Sequence, residues 1–390
     1  MKTENFEFVQ PNKMSRVAFM HPDLGIGGAE RLILDAARAV KLTNPETSIW
    51  TTRYEPNRAF KDAADFEVHV HGNYIPRNLF GIFSIFFSLL RFLWLTIVCA
   101  FKSKADVFIV DQISAWLPIL RLLCPKAKII FYCHFPDLLL ANHSSFRKFY
   151  RLPFDWIEKF GIKRAHTILV NSKFTAGMTS KYLNITNVDV LYPCVDCSHK
   201  ADRKKPDTPV FLSLNRYEKK KNHALAIEAL SIVVKKYNNA KLIIAGGYDT
   251  KVAENVENET ELKSIVNYNH LENNVELLKN ISDEEKWKLT ANCTAVIYTP
   301  QNEHFGIVPI EALSVGVPVI GCNSGGPLET INCEGCAICE PNKEAFADAM
   351  IRIFEDNVDR SESFKKHALK FGFDDFQKQW DQTVKNVLQK

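Results

Sequence analysis

The sequence has little net charge, no low-complexity tract and no short repeat. Lysine and arginine together exceed aspartate and glutamate by only four in 390 residues. Because this is not a polycation, we expect no nucleic-acid partner, and an anionic ligand would have to meet a local basic site. The hydrophobic content of 46% and charged content of 24% are those of a globular protein, long enough for two α/β domains.

The sequence also predicts neither a secretory signal peptide nor a disulfide framework. The opening segment MKTENFEFVQPNK lacks an apolar core of the kind that signal peptides carry. Cysteines are scattered, and several lie in apolar runs such as FYCHF, where a thiol behaves as a small hydrophobic group. We therefore expect a reducing compartment and unmodified Asn-x-Ser/Thr triplets that face the cytosol.

Short apolar runs alternate with helical patterns along almost the whole chain. In the first half, the runs that predict strands lie at 15–21, 47–52, 66–71, 105–111, 127–134 and 166–171. In the second half, they lie at 209–216, 240–247, 274–279, 294–299 and 317–322. Continuous Val, Ile and Leu runs separated by helices are typical of parallel strands buried on both faces. The sequence therefore predicts an α/β protein with two doubly wound parallel sheets.

A polar stretch at 197–209, with two prolines, is typical of a linker between two domains. We predict an N-terminal Rossmann-like domain over 1–200 and a C-terminal Rossmann-like domain over 206–372. The last segment, 373–390, has apolar residues at i, i+4 spacing, which predicts a helix that packs back on the N-terminal domain.

One stretch, residues 79–101, breaks the alternation because it is mostly apolar, has Arg91 as its one charged residue and is long enough to span a membrane. A span here would put strands of one sheet on opposite sides of a bilayer, which a single domain does not allow. The helix would then lie either in the protein core or in the membrane interface, with Arg91 and the flanking basic residues reaching headgroups. Six phenylalanines and a tryptophan favour the interface.

Three sequence features could bind an anionic ligand. Gly27 and Gly28, in GIGGAE, allow a turn into a helix whose first amides attract phosphate, although a simple tight turn is the alternative. Arg216 and Lys221 follow the first strand of the second half, where open α/β sheets bind ligands. Two cations there suit a diphosphate, and a solvated basic loop is the alternative.

The third feature is a pair of glutamates, Glu303 and Glu311, in NEHFGIVPIEAL. If all eight steps were helical, the carboxylates would lie ~12 Å apart, too far for the acid pair of a glycosidase. They could instead accept hydrogen bonds from sugar and ribose hydroxyls, or simply be exposed acids beside a capped helix. The backbone amides that could take phosphate oxygens are those of Phe305, Gly306, Ile307, Val308, Gly325 and Gly326.

These features together resemble glycosyltransferase family 4, whose GT-B architecture has two Rossmann-like domains facing across a cleft. The glutamate pair, the Arg–Lys pair, NSGGPLE and VNSKFT carry this resemblance. The motifs HPDLGIGGAERL, FYCHFPDLLL, DWIEKF, LYPCVD, AGGYD and TPQNEHFGIVPIEA resemble, within that family, the eukaryotic alpha-1,3/1,6-mannosyltransferases of lipid-linked N-glycan assembly. The likeness runs from about residue 15 to 375, and no single motif carries it.

The resemblance implies a role for each matching residue in the donor domain, 206–372. Glu303 would contact the donor mannose, and Glu311 would contact the nucleotide ribose. Arg216 and Lys221 would neutralise the diphosphate as it leaves.

The resemblance also implies roles in the acceptor-side domain, 1–200. His134, in FYCHFPD, would reach the donor sugar. The alternative is a histidine at the end of a strand whose hydrogen bonds are all made within the protein. Gly27 and Gly28 would give room to donor phosphates or to the acceptor. The family retains the anomeric configuration and needs no bound metal, so no cofactor is expected.

The implied reaction is the transfer of mannose from GDP-mannose to a one-mannose dolichol-pyrophosphate-linked oligosaccharide, alpha-1,3, and then to the two-mannose product, alpha-1,6. The implied location is the endoplasmic reticulum membrane, on its cytosolic face. The membrane surface and other early-pathway glycosyltransferases are the further expected partners. Two alternatives stay open: another family-4 nucleotide-sugar transferase with a different acceptor, and a non-catalytic scaffold of the glycosylation machinery.

One motif departs from the resemblance. In NCEGCAICEP, Cys333, Cys336 and Cys339 have a spacing that would permit a zinc or iron–sulfur site. A fourth ligand is missing unless Cys322 contributes, so we expect buried thiols and no metal.

Overall fold

The computed structural model describes residues 15–78, 83–135, 156–199, 201 and 203–390. The chain divides into two compact units by its internal contacts. The first unit comprises Met1–Leu169, Tyr182–Asp189 and Gln377–Lys390, and the second comprises Val170–Lys181 and Val190–Phe376.

The first sheet has seven strands in the order β3-β2-β1-β4-β5-β6-β7. Their bounds are β1 Val17–His21, β2 Thr47–Thr51, β3 Glu67–Val70, β4 Val107–Asp111, β5 Lys128–Cys133, β6 Thr167–Val170 and β7 Asp189–Val190. Strand β1 pairs in parallel with β2 on one side and β4 on the other, so that Phe19 lies beside Ile49 and Ile109. The six strands predicted in the first half are confirmed, and β7 is an additional short strand.

The second sheet has six strands in the order β10-β9-β8-β11-β12-β13. Their bounds are β8 Val210–Leu214, β9 Lys241–Gly246, β10 Val275–Lys279, β11 Ala295–Tyr298, β12 Val319–Cys322 and β13 Ala337–Cys339. The strand pairs β10–β9, β9–β8, β8–β11, β11–β12 and β12–β13 are all parallel. The prediction of two doubly wound parallel sheets is therefore confirmed.

Helices connect most consecutive strands, as is usual for parallel strands, whereas two short 3-10 turns lie between β2 and β3. Their bounds are α1 Gly28–Lys41, α2 Ser84–Lys102, α3 Leu117–Leu123, α4 Lys173–Leu183, α5 His223–Val233, α6 Ala253–Tyr268, α7 Asp283–Ala291, α8 Ile307–Ser314, α9 Pro327–Thr330, α10 Lys343–Glu355, α11 Ser361–Ala368 and α12 Phe373–Gln389. Strands such as β4, with the sequence VFIVD, are buried at every position because helices cover both faces of the sheet.

Helix α2 corresponds to the long apolar stretch, and its side chains divide into two faces. The buried face contains Arg91, Phe92, Leu95, Thr96 and Cys99. The exposed face contains Phe86, Leu90, Trp94 and Phe101, and Phe83, directly before the helix, is exposed as well. The helix is long and apolar enough to cross a membrane. It connects two strands of one sheet, β3 and β4, and a crossing would separate those strands.

The prediction that Arg91 reaches lipid headgroups is wrong. Its side chain is buried and donates hydrogen bonds to the carbonyl oxygens of Gly72 and Thr52, at 3.3 Å each. An arginine on the inner face of the helix finds backbone acceptors within the unit, and it therefore fixes α2 to the protein.

The C-terminal helix α12 contributes a large aromatic residue to the core of the first unit. Trp380 is fully buried, and its ring centroid lies 6.2 Å from the rings of Phe19 and Tyr132. These contacts attach residues 377–390 to the first sheet by burial of apolar surface.

Candidate active site

The two predicted cations lie at the carboxyl edge of the second sheet, just after β8. Arg216 is largely exposed, and its guanidinium forms an ion pair with Glu218 at 2.9 Å. Lys221 ends a short 3-10 turn, Lys219–Lys221, and its side chain is only 10% exposed. The turn orients Lys221 inward, whereas its two neighbouring lysines point to solvent.

Lys221 contacts Glu303, the first of the two predicted glutamates. The ammonium Nζ lies 2.5 Å from the Oε2 atom of Glu303. Burial alone would raise the pKa of the Glu303 carboxyl, but the charge and hydrogen bond of Lys221 hold that pKa below its ordinary value. Glu303 is therefore an ionised carboxylate that accepts hydrogen bonds.

A cavity of about 570 Å³ opens at this edge of the sheet. Four of the residues predicted for the site line it: Arg216, Lys221, Val308 and Glu311. The other lining residues are Leu214, Asn215, Ala245, Gly246, Gly247, Asn280, Ile281, Asp283 and Lys286. The volume is within the range of ordinary small-molecule sites, and cations and a carboxylate lie at its wall.

Glu311 lies one turn into α8 and is paired with a lysine that the sequence analysis did not single out. The ammonium of Lys286, on α7, donates to Oε1 of Glu311 at 2.8 Å. Lys286 adds a third cation to the cavity wall. Its only sequence signal was a lysine at the start of a helix that follows a strand, β10.

The loop that carries Glu303 is held by close packing against two glycines. Gly325 adopts a left-handed backbone with φ +71°, and a Cβ there would collide with the carbonyl oxygen of Glu303. A Cβ on Gly326 would lie 2.5 Å from the Cα of Phe305. The two glycines are therefore required by the close approach of backbone to backbone.

The amide of Gly326 was predicted to bind phosphate, but in this structure it has a partner within the protein. It donates a hydrogen bond to the carbonyl oxygen of Glu303 at 2.7 Å, so in this structure it supports the loop from behind. The Phe305 ring is buried and stacks on Tyr192, with ring centroids 5.9 Å apart, so it anchors the loop. Gly306 has φ +93° and precedes α8, and Ile307 is partly exposed at the first turn of that helix.

A buried histidine supports the backbone next to Arg216. His223 Nδ1 lies 3.0 Å from the hydroxyl of Ser213, and Nε2 lies 3.3 Å from the carbonyl oxygen of Arg216. Burial lowers the pKa of His223 to about 4, so the ring is neutral. The sequence analysis missed His223, because a histidine at a helix start has no signal that distinguishes support from solvation.

Glu329, in the motif NSGGPLE, caps a helix of the same unit. Its two carboxylate oxygens accept hydrogen bonds from the amides of Lys173 and Phe174, at 3.0 Å each, at the start of α4. The hydroxyl of Tyr192 donates to the same carboxylate at 2.8 Å. A carboxylate at a helix N-terminus is stabilised by the orphan amides and the helix dipole.

In the first unit, His134 is bound to a fully buried carboxylate. The Nε2 atom of His134 lies 3.0 Å from Oδ2 of Asp111. The Nδ1 atom of His21 lies 2.8 and 2.9 Å from the two oxygens of the same group. The side chains of His21 and Asp111 have no solvent exposure.

The charges of this histidine–aspartate cluster stabilise each other. Burial alone would lower the pKa of His21, but Asp111 and Glu30 raise it to about 10. Burial alone would raise the pKa of Asp111, but His21 and His134 hold it below its ordinary value. His21 is therefore a buried cation and Asp111 a buried anion.

The glycine turn of the first unit begins α1, as predicted. Gly27 is the N-cap with an extended backbone, and a Cβ on Gly28 would meet nothing within 4 Å. A cavity of about 530 Å³ adjoins the same loop, and its wall includes Ile26, Arg53 and Arg58. The turn therefore leaves open space beside the first helix.

The cysteine motif forms a close pair of thiols. The sulfur atoms of Cys333 and Cys336 are 3.4 Å apart, whereas Cys339 lies in β13. Cys322 donates to the carbonyl oxygen of Thr299. Among the residues that the structure describes, no three metal-ligating groups converge on one point.

Two parallel Rossmann-like sheets, with cations and carboxylates at a strand edge, define a glycosyltransferase of the GT-B class. The family described as Glycosyltransferase Family 4 matches residues 26–199, and the family described as Glycosyl transferases group 1 matches residues 196–371. Sucrose-phosphate synthase from Thermosynechococcus elongatus has a similar fold, with a TM-score of 0.75 and 17% identity, over 96% of this chain and 99% of that one.

Known mannosyltransferases are similar along most of the chain. The alpha-1,3/1,6-mannosyltransferase ALG2 of Homo sapiens is 43% identical over 357 residues, which cover 86% of each protein. The enzyme of the same name from Saccharomyces cerevisiae is 40% identical over 357 residues, 81% of this chain and 71% of that protein. The chain belongs to the alpha-1,3/1,6-mannosyltransferase family of glycosyltransferases.

Proposed function

We propose that this protein transfers mannose from GDP-mannose to a one-mannose dolichol-pyrophosphate-linked oligosaccharide through an alpha-1,3 linkage, and then adds an alpha-1,6 mannose to the product. The relatives named for both linkages support the reaction. The observation that carries the donor half of the proposal is the cavity that brings Arg216, Lys221 and Glu311 together.

The cations of this cavity would stabilise the leaving nucleotide. Negative charge on the diphosphate grows as the sugar–phosphate bond breaks, and preorganised cations favour that state over the ground state. Arg216 is exposed and can exchange Glu218 for phosphate oxygens, and Lys221 lies deeper in the wall. We propose that these cations serve in place of a metal, with Lys286 as a third positive group.

The carboxylate of Glu303 is suited to accept hydrogen bonds from the hydroxyl groups of the donor mannose. A general acid of the glycosidase type needs a pKa above its ordinary value, whereas that of Glu303 is lowered. Its ion pair with Lys221 also links the sugar position to the diphosphate position. We therefore favour transfer over hydrolysis by an acid–base pair. We propose that the transfer retains the anomeric configuration, as the resemblance to glycosyltransferase family 4 implies.

Glu311 and the backbone at the start of α8 would hold the rest of the nucleotide. We propose that Glu311 accepts hydrogen bonds from the ribose hydroxyls, because its carboxylate reaches the cavity wall next to Lys286. The amides of residues 305–308 are proposed to take phosphate oxygens at the helix N-terminus. Gly325 and Gly326 are proposed to serve by fixing this loop.

His134, in the first unit, is proposed to take part in the same transfer by contacting the donor mannose. Its support is its place just after β5, at the carboxyl edge of a parallel sheet, where such folds carry their sites. Gly27 and Gly28 are proposed to leave room for donor phosphates or for the acceptor. A Cβ on Gly28 would meet nothing within 4 Å, whereas one on Gly27 would meet the carboxylate of Glu30.

The acceptor is proposed to reach the enzyme from the cytosolic face of the endoplasmic reticulum membrane. An acceptor with a polyisoprenoid tail stays in the bilayer, so the enzyme has to lie at its surface. Phe86 and Trp94, on the exposed face of α2, are half-exposed aromatic residues of the kind that insert into the headgroup region. Other glycosyltransferases of the early pathway are proposed as neighbours on that surface.

The decisive experiment combines product analysis with one variant. The purified protein is incubated with GDP-mannose and the one-mannose lipid-linked acceptor, and product linkages are determined. We expect an alpha-1,3 and then an alpha-1,6 mannose, and we expect Glu303→Gln to lower transfer by at least about 100-fold.

The matched control is Glu362→Gln, which removes an exposed carboxylate that is likewise paired with a lysine. It should transfer at the parent rate. Products with other linkages or acceptors would point to a different family-4 activity. Folded protein that transfers nothing, with or without Glu303, would support the scaffold alternative.

A further inference from the structure

Two buried charged residues lie beside His134 and have no role in the function proposed so far. Asp111 ends strand β4, and His21 ends the neighbouring strand β1, at the carboxyl edge of the first sheet. Burying an ion pair costs solvation free energy, and an apolar pair of similar size would often be no less stable. The position of the pair, next to a histidine at the same edge, therefore calls for a chemical explanation.

The oxygens of Asp111 are divided between two imidazole rings. His21 contacts both oxygens through Nδ1, and His134 contacts Oδ2 through Nε2 at 3.0 Å. An ionised carboxylate can only accept hydrogen bonds, so the Nε2 atom of His134 has to donate. This contact selects the tautomer of His134 and fixes the plane of its ring.

His21 allows Asp111 to remain ionised in a site without solvent. A lone buried carboxylate would take up a proton and could then no longer serve only as an acceptor. The positive charge of His21 offsets the carboxylate, and the carboxylate of Glu30 lies 3.7 Å from its Nε2 atom. Among the residues that the structure describes, the titratable groups that face this cluster include Glu30 from α1, Tyr132 from β5 and Asp23 from the loop after β1.

We propose that Asp111 and His21 are positioning residues, which hold His134 in one tautomer and one orientation for the transfer reaction. This inference rests on the proposed role of His134 in transfer. A pair that served only the stability of the sheet would have no need of a third, partly exposed partner at hydrogen-bond distance.

The test is a double-mutant cycle between the buried pair and His134. The pair is replaced in the full-length protein by His21→Gln with Asp111→Asn, which removes both charges and keeps amide groups of similar size. The same replacement is made in His134→Ala. Folding is monitored by thermal unfolding, and kcat and KM for GDP-mannose are measured for all four proteins.

We expect the pair replacement to lower kcat about tenfold or more when His134 is present. We expect KM to change little, because the donor-binding cations belong to the second unit. In the His134→Ala background the same replacement should change kcat by less than about threefold.

Equal losses in both backgrounds, or no loss in either, would overturn the positioning role and leave the proposed function intact. Parent-like transfer by His134→Ala would instead refute the role of His134, and this inference with it. If the amide pair does not fold, the apolar pair His21→Leu with Asp111→Leu provides the second replacement, read by the same cycle.

Discussion

The two units differ in the exposure of the charged and aromatic residues on which the proposals rest. In the first unit the charged residues His21 and Asp111 are buried, and Trp94 is 41% exposed. In the second unit Arg216 is 65% exposed at a cavity, and Phe305 is packed inside the core. Exposed cations suit a charged donor that enters from water, and exposed aromatic residues suit a membrane surface.

The difference also separates two uses of an ion pair. Arg216 lies in water and can exchange Glu218 for a ligand at small cost, because surface ion pairs contribute little free energy. The pair of His21 and Asp111 cannot exchange partners without exposing a buried charge. The first kind of pair suits binding, and the second suits fixed orientation.

Lys221 gives the largest expected effect, since it belongs to both the cavity and an ion pair. We expect Lys221→Met to lower mannose transfer by about 1,000-fold through loss of charge at the leaving diphosphate. Burial raises the pKa of Glu303 and the ammonium of Lys221 lowers it, so the pKa of Glu303 should rise when the ammonium is removed. The variant should therefore lose its residual activity at a higher pH, on acidification, than the parent does.

The matched control is Lys219→Met, two residues earlier in the same turn, where the ammonium is exposed and faces Glu257. Transfer by this control should stay within about twofold of the parent, as expected for a surface charge. Equal losses in the two variants would show that the general basicity of the turn matters, and not the cavity. A parent-like pH profile for Lys221→Met would contradict the ion-pair argument.

The sheet edges were predictable because continuous apolar runs in the sequence predict the strands, and the ends of the runs predict where the strands end. Arg216 and Lys221 directly follow one such run, and the carboxyl ends of parallel strands share one edge. Their convergence with Glu311 followed from that rule. The turn of Gly27 and Gly28 into α1 was predictable for the same reason, as a glycine-rich connection after a strand.

The contacts between distant residues were not predictable from local pattern. Asp111 and His21 are 90 residues apart, and Lys286 and Glu311 are 25 apart, so their pairing depends on strand order and helix placement. A signal did exist in the first sheet, because two neighbouring strands end in the polar residues His21 and Asp111, and the next strand is followed directly by His134. To infer from this signal that the three residues are adjacent, the strand order β1-β4-β5 has to be known, and it cannot be derived from the local sequence pattern.

Substitution of His21 gives the second-largest expected effect, which is a loss of folding stability. We expect His21→Gln to lower the free energy of unfolding by about 3 kcal/mol, because Asp111 is left buried without its cation. The pKa of His21 is raised to about 10, so its contribution is complete below the ordinary value of 6.5 and is lost as pH rises towards 10. The deficit of the variant should therefore be larger at pH 6 than at pH 9, as measured by urea unfolding.

The control for this comparison is His199→Gln, which changes a half-exposed histidine paired with Asp196 in the second unit. Its unfolding free energy should remain within about 0.5 kcal/mol of the parent at both pH values. If the deficit of His21→Gln were independent of pH, the charge of His21 would not be the source of its stabilisation.

The smallest effect is expected at the exposed face of α2, where the first unit shows apolar surface. Phe86→Ser with Trp94→Ser should leave the fold intact and weaken binding to anionic phospholipid vesicles by about 30-fold, since each half-exposed ring contributes about 1 kcal/mol. Cosedimentation with vesicles measures this, with Tyr268→Ser and Val358→Ser as the control pair, two exposed apolar residues of the second unit. Vesicle binding that survives in the α2 variant would place the membrane contact elsewhere. Binding lost equally in the control pair would mean that scattered surface apolarity, and not this helix, holds the protein at the bilayer.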